Sequence, residues 1–159
     1  MNRLMTPEHL HAMVNHLPLL GLASACIPLL YGLIRKNSEV VFVALLMVVL
    51  FGASAFFVMM SGNQAEERFE HSALSGMLDA SGKTWLKTHE DQAKLAAVTS
   101  YGLAAVALVA LILAKYRPGT RLIMGWVVLI LCLLAIVMMA RVADSGGQIR
   151  HPEFRSSTQ

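Results

Sequence analysis

Six histidines, His9, His11, His16, His71, His89 and His151, are the residues of this 159-residue chain best suited to chemistry. Imidazole ligates metal ions, fills the axial positions of haem and carries protons near neutral pH. Three of the six crowd into HLHAMVNHLPLLG, from His9 to Gly21, and the sequence turns almost wholly apolar just after His16. Ionisable rings at membrane depth are functional candidates. His16 is the deepest of the three, and a proline kink at Pro18 would turn its ring toward a bundle axis. His9, the most outward, is the weakest candidate.

Other side chains fit around the rings. If a helix continues past the second apolar stretch, Met60, Gln64, Glu67 and His71 fall on one helical stripe. Glu67 would then orient the His71 ring and fix its tautomer. Glu66 and Glu70 read as a solvated acidic surface around Arg68. Glu90, beside His89, serves a site, the dipole of a helix start, or a pair with Lys94 at i,i+4. Met59, Met60, Met138 and Met139 offer soft sulfur ligands, or ordinary packing at span ends. Cys26 and Cys132 fit no metal or redox spacing and read as small apolar fillers. Nothing resembles a nucleophile with its base or a phosphate-cradling glycine loop, which argues against a hydrolase or kinase.

These side chains must be positioned by a membrane protein. Hydrophobic residues make up 56% of the chain and charged ones 14%, with a mean hydropathy of +0.59; a soluble domain carries about 25% charged residues. Four segments free of Asp, Glu, Lys and Arg, residues 17–34, 40–60, 95–114 and 122–140, are long enough to cross hydrocarbon, which takes roughly 20 residues. The first lacks the basic start of a cleaved signal peptide and is read as retained. The connectors RKNSE and KYRPGTR are so short that they force antiparallel hairpins, whereas residues 61–94 form a polar loop and 141–159 a C-terminal tail. The predicted fold is therefore one all-α domain, a four-transmembrane-helix antiparallel bundle.

Following the hairpins puts every histidine on one membrane face. A single interfacial histidine needs no special role; a shared layer of them suggests one. Arg35, Lys36, Lys115, Arg117 and Arg121 concentrate in the short turns, which places those turns in the cytoplasm and the termini, long loop and histidines on the periplasmic side of a bacterial inner membrane. A helix is expected to begin near Pro7 behind Thr6. Gly146 and Gly147 are expected either to stop the last helix and return His151 to the bundle mouth, or to begin a frayed tail. The halves also look alike at an offset of about 79 residues, VMMSGNQAEERFEH against VMMARVADSGGQIRH with His11 against His89, as in a duplicated hairpin. The net charge of +3 forms no basic stripe, and nucleic acid is not an expected partner.

The motifs resemble a bacterial family of predicted four-helix membrane proteins, domain of unknown function twenty-two thirty-one. Its opening, His-Pro-x-x-x-His-x-Pro, is similar to His11, four residues, His16, one residue, Pro18 here. Further likenesses are THEDQA with His89 and SGGQIRH with His151. Ala12 stands where proline commonly follows the first histidine, so His16 carries over more securely than His11. Some relatives are joined to c-type cytochrome domains, and the resemblance thereby implies a membrane unit that handles electrons, holding haem.

Three functions follow as expectations. The leading one is a b-type haem electron carrier or subunit rather than a stand-alone enzyme, with His16 paired to His71 or His89, and His11 and His151 serving a second haem or its propionates. The second is a non-haem Fe, Cu or Zn ion held by His16, His71 and His89 with Glu67 and Glu90. The third is a non-catalytic membrane anchor or accessory subunit. The lipid bilayer is a partner in each; a c-type cytochrome, a respiratory-complex subunit and a second copy of the chain are candidate protein partners.

Overall fold

The computed structural model describes residues 6–71 and 78–155, with every side chain among them except those of residues 8, 68–71 and 150. All regular structure in these residues is helical: α1 (Pro7–Val14), α2 (Leu17–Ile34), α3 (Ser38–His71), α4 (Ala80–Tyr116), a 3-10 turn (Pro118–Thr120), α5 (Arg121–Arg150) and α6 (Pro152–Arg155). Four segments are long and apolar enough to cross a membrane, the first being α1 and α2 taken together. The four-helix, all-α membrane architecture expected from composition is the one observed.

Local chemistry sets the helix ends. Thr6 is extended and Pro7 takes the first helical turn, but the Thr6 hydroxyl pairs with His9 Nδ1 at 3.0 Å instead of capping. Pro18 cannot donate to Val14 and would crowd its carbonyl, and the chain breaks at Asn15–His16. At the first turn Asn37 N–H bonds to Gly32 O (2.8 Å) and Lys36 N–H to Leu33 O (3.3 Å), a Schellman closure with Lys36 at a left-handed φ of 52°. Asn37 Oδ1 then accepts from the N–H groups of Glu39 and Val40, at 3.1 and 3.2 Å, and caps α3.

The polar stretch 61–94 is mostly helix rather than loop. α3 runs on to His71 and α4 begins at Ala80, so both project beyond the hydrocarbon at the histidine end; 34 and 37 helical residues span about 50 and 55 Å against a core of about 30 Å. The turn expected at Gly146–Gly147 is absent too. α5 continues through both glycines to Arg150, and the helix breaks at His151, which precedes Pro152 and is pushed toward extended backbone.

The helices form a ring in which α2 packs on α3, α3 on α4, α4 on α5 and α5 back on α2. α3 and α5 also touch across the centre. Small residues permit close approach: a Cβ on Gly52 of α3 would stand 3.0 Å from Ser100 O and 3.1 Å from Ala104 Cβ on α4.

The two hairpins repeat in their buried positions. Leu22, Ala25 and Leu29 of α2 correspond to Ser100, Leu103 and Ala107 of α4, each 78 residues later and each buried. Ala44, Leu45 and Val48 of α3 correspond to Val128, Leu129 and Cys132 of α5, but 84 residues later. A uniform offset near 79 therefore misaligns the second arm. The extra six residues lie between the matched arms, where α4 and the 3-10 turn are longer than the connection in the first hairpin.

Relieving the left-handed conformation by Lys36→Gly should raise stability by about 0.5–1 kcal/mol, whereas Asn37→Ala should lower it by about 1 kcal/mol. Denaturation in detergent micelles, compared with wild type, checks both signs.

Candidate functional site

Among the histidines whose side chains are described, His11 and His89 are held against a neighbouring long helix, and in the same way. His11 on α1 lies against α3: its Nδ1 is 3.2 Å from Val58 O and 3.2 Å from Ser61 Oγ. His89 on α4 lies against α5: its Nδ1 is 2.9 Å from Val142 O and 3.3 Å from Ser145 Oγ. A carbonyl oxygen only accepts, so Nδ1 must carry the proton in both rings and donate it. Each serine hydroxyl spends its own hydrogen on the same carbonyl, Ser61 at 2.9 Å and Ser145 at 3.0 Å, leaving its oxygen free to accept from the ring. The neutral ring then keeps its lone pair on Nε2, the atom a metal would use.

A glycine completes each clamp. A Cβ on Gly62 would lie 3.1 Å from His11 Cε1, and one on Gly146 would lie 3.2 Å from His89 Cε1. The residues responsible form one motif used twice, Val58-x-x-Ser61-Gly62-x-Gln64 and Val142-x-x-Ser145-Gly146-x-Gln148. The valine, serine and glycine lie at i, i+3 and i+4 on one helical face, where a ring from the partner helix can settle.

Buried amide oxygens lie within a turn of these groups. Gln148 is 5% exposed; its Nε2 donates to Asp144 Oδ2 at 3.0 Å, while its Oε1 has no partner. Asn15 Oδ1, four residues after His11, and Gln92 Oε1, three residues after His89, are likewise buried without partners among the described residues. Leaving such an acceptor unmet costs roughly 1–3 kcal/mol each.

The remaining expected site residues are placed differently. His16, the favoured ligand, is exposed at the joint between α1 and α2, and its ring has no hydrogen-bond partner among the described residues. Pro18 does break the helix there, but the break leaves the His16 ring outward and allows α1 to bring His11 onto α3. His151 does not return to the bundle mouth; it is exposed, 2.8 Å from Glu153 Oε1 and stacked on Phe154. His71 closes α3, and its side chain, with its expected pairing to Glu67, lies outside the described residues. Glu67 is exposed, and Glu90 is tied to Lys94 and reached by Glu66. His89 does not lead its helix, because α4 starts nine residues earlier. Among the methionines, Met138 Sδ accepts from Thr99 Oγ1 at 3.3 Å and Met139 is in the core. No three of His, Cys, Asp and Glu converge among the described residues.

Reasoning on the sequence missed Ser61, Gly62, Ser145 and Gly146 as the seats of the rings. The signal was present in the repeated V-x-x-S-G-x-Q, but aligning the Met-Met pairs hid it.

A staple closes this end of the bundle. Arg155 on α6 grips Asp79 with Nη1 at 3.0 and 2.8 Å from the two carboxylate oxygens, and donates to Gln148 O and Ile149 O, both at 2.7 Å. Asp79 also caps α4 by accepting from Gly82 N–H at 2.5 Å. One guanidinium thus satisfies late carbonyls of α5 while fixing the start of α4. The Gly82 N–H and then the Arg155 guanidinium hold the Asp79 carboxyl below the usual carboxylate range.

Compared with protein-family models, curated proteins and solved structures, the chain has no match.

Two predictions follow from this geometry. Because the Asp79 carboxyl is depressed in the folded protein, its stabilisation is fully present above the usual carboxylate range and is lost as pH falls through the lowered value. The melting midpoint should therefore fall in acid for wild type, while Asp79→Asn should melt lower at neutral pH and respond less to acid. Separately, Gly146→Val should push the His89 ring off its seat with the helices intact, seen as a shifted imidazole resonance by NMR alongside an unchanged far-UV CD spectrum.

Proposed function

We propose that the histidine end of this bundle is a haem b site, where His11 and His89 would hold the group, and that the protein carries electrons within the membrane. The observation that carries the reading is the duplicated clamp: two imidazoles, each with Nδ1–H tied to a carbonyl and a serine, and neither with an Nε2 partner among the described residues. Second-shell bonds of this kind orient metal-ligating histidines and raise their basicity. Two such rings, one from each hairpin, are imidazoles of the kind that would hold a haem iron. Bound there, haem would supply a one-electron couple.

The chain's own residues have definite tasks in this reading. Ser61 and Ser145 hold the tautomer, Gly62 and Gly146 leave space for the rings, and the unpartnered amide oxygens of Asn15, Gln92 and Gln148 meet donor groups or water at the rim. His16, the ligand expected from the motif, gives way to His11 because its ring is unsupported. A non-haem ion site with Glu67 and Glu90 has less support, since Glu90 already pairs with Lys94 and Glu67 is exposed.

The density of Arg and Lys in the short turns favours placing the histidine end on the periplasmic side of a bacterial inner membrane. An electron partner there, such as a c-type cytochrome domain, fits the family resemblance as an analogy.

The optical spectrum of the purified, dithionite-reduced protein tests the reading. Wild type should show Soret and α bands; His11→Ala and His89→Ala should each lose the low-spin spectrum, and His16→Ala should keep it. Ser61→Ala and Ser145→Ala should weaken haem retention by about 10–100-fold. Fully assembled wild type without a Soret band would sink the proposal, as would a His89→Ala variant with unchanged bands.

A further inference from the structure

Far from the histidine end, the two cysteines of the chain meet. Cys26 of α2 and Cys132 of α5, 106 residues apart in sequence, have sulfurs 3.2 Å apart, with the Cys26 thiol donating to Cys132 Sγ. The Cys132 thiol is directed at Leu22 O, 3.7 Å away and one turn before Cys26, so its sulfur is free to accept. Both are free thiols; Cys132 is fully buried and Cys26 is partly exposed. They are more than the separate apolar fillers expected from sequence.

Their position in the ring adds meaning to the contact. The hairpins meet along two seams, α3–α4 and α2–α5, and the second is the less extensive. The cysteines bridge this smaller seam in mid-span. At the equivalent place on the other seam the repeat puts Ala104 and Val48, which have no such chemistry. A bond between Cys26 and Cys132 would close the ring of helices covalently where its packing is slightest. It requires the sulfurs to move from 3.2 Å to about 2.0 Å, a shift within reach of side-chain rotation.

We propose that Cys26 and Cys132 are a dithiol–disulfide couple whose oxidant is a lipid-soluble quinone. Both S–H bonds break and one S–S bond forms; the two electrons and two protons pass to the quinone oxygens, giving the hydroquinone. The thiols lie at hydrocarbon depth, where a quinone dissolves and a charged aqueous oxidant does not, and the partial exposure of Cys26 provides the approach. This couple is independent of the haem reading.

The test uses the full chain in lipid nanodiscs, reduced and then incubated anaerobically with decylubiquinone. Expected are a mass lower by two hydrogens, loss of both alkylatable thiols, a cross-linked peptide pair containing Cys26 and Cys132, stoichiometric hydroquinone, and a raised melting midpoint that reductant reverses. Cys26→Ser and Cys132→Ser should each retain one alkylatable thiol and yield no hydroquinone. Persistence of both thiols in wild type overturns the proposal. So does a disulfide that joins two chains, or one that forms with diamide but not with the quinone.

Discussion

Hydrocarbon offers no partner to a backbone N–H or C=O, so each must be satisfied inside the chain. Every feature of this bundle works within that constraint. It makes the spans helical, and because lipid tails are as apolar as leucine, it leaves close packing to hold the helices together. Gly52 against Ser100 and Ala104 shows the result, with side chains small enough for two backbones to approach. Where chemistry is to be placed, it must come at a level where polar groups can be met. All six histidines lie toward the end at which α3, α4 and α5 outgrow the hydrocarbon.

Within that end, the device that holds His11 and His89 is a carbonyl shared between a serine hydroxyl and an imidazole. A helix carbonyl has a second lone pair to offer, and a serine three residues on can both bond to it and accept from a neighbour. Glycine in the next position removes the one atom that would block the ring. The same arrangement on α3 and α5 gives each hairpin its own clamp, formed largely within the hairpin rather than between the two. The repeat therefore reads as two copies of a histidine-holding unit, joined along seams that carry their own, unrepeated chemistry at Cys26 and Cys132.

The spacing of the motif and the geometry point to the same end of the molecule and differ over the residue. Motif spacing favours His16 because a proline follows it, yet the same proline ends α1 and leaves His16 at an exposed joint. The hold on His11 comes from Val58 and Ser61 of α3 and not from its own neighbours in sequence. His89 was legible from its place before an apolar span, and its ring lies against α5. His151 was not, because Gly146 and Gly147 read as a stop, when Gly146 in fact provides the His89 seat inside a continuing helix.

Length, composition and hydropathy were enough, by themselves, to determine a membrane protein of four helices in antiparallel order with its histidines at one end. Those properties depend on local runs of residues measured against the thickness of a bilayer. The tertiary structure alone decided which histidines are held, where the repeat truly aligns, and that two cysteines meet. His11 finds Val58 across 47 residues, His89 finds Val142 across 53, and Cys26 finds Cys132 across 106. Such contacts arise from the register of one helix against another, and register is set by packing among residues that no local pattern brings together.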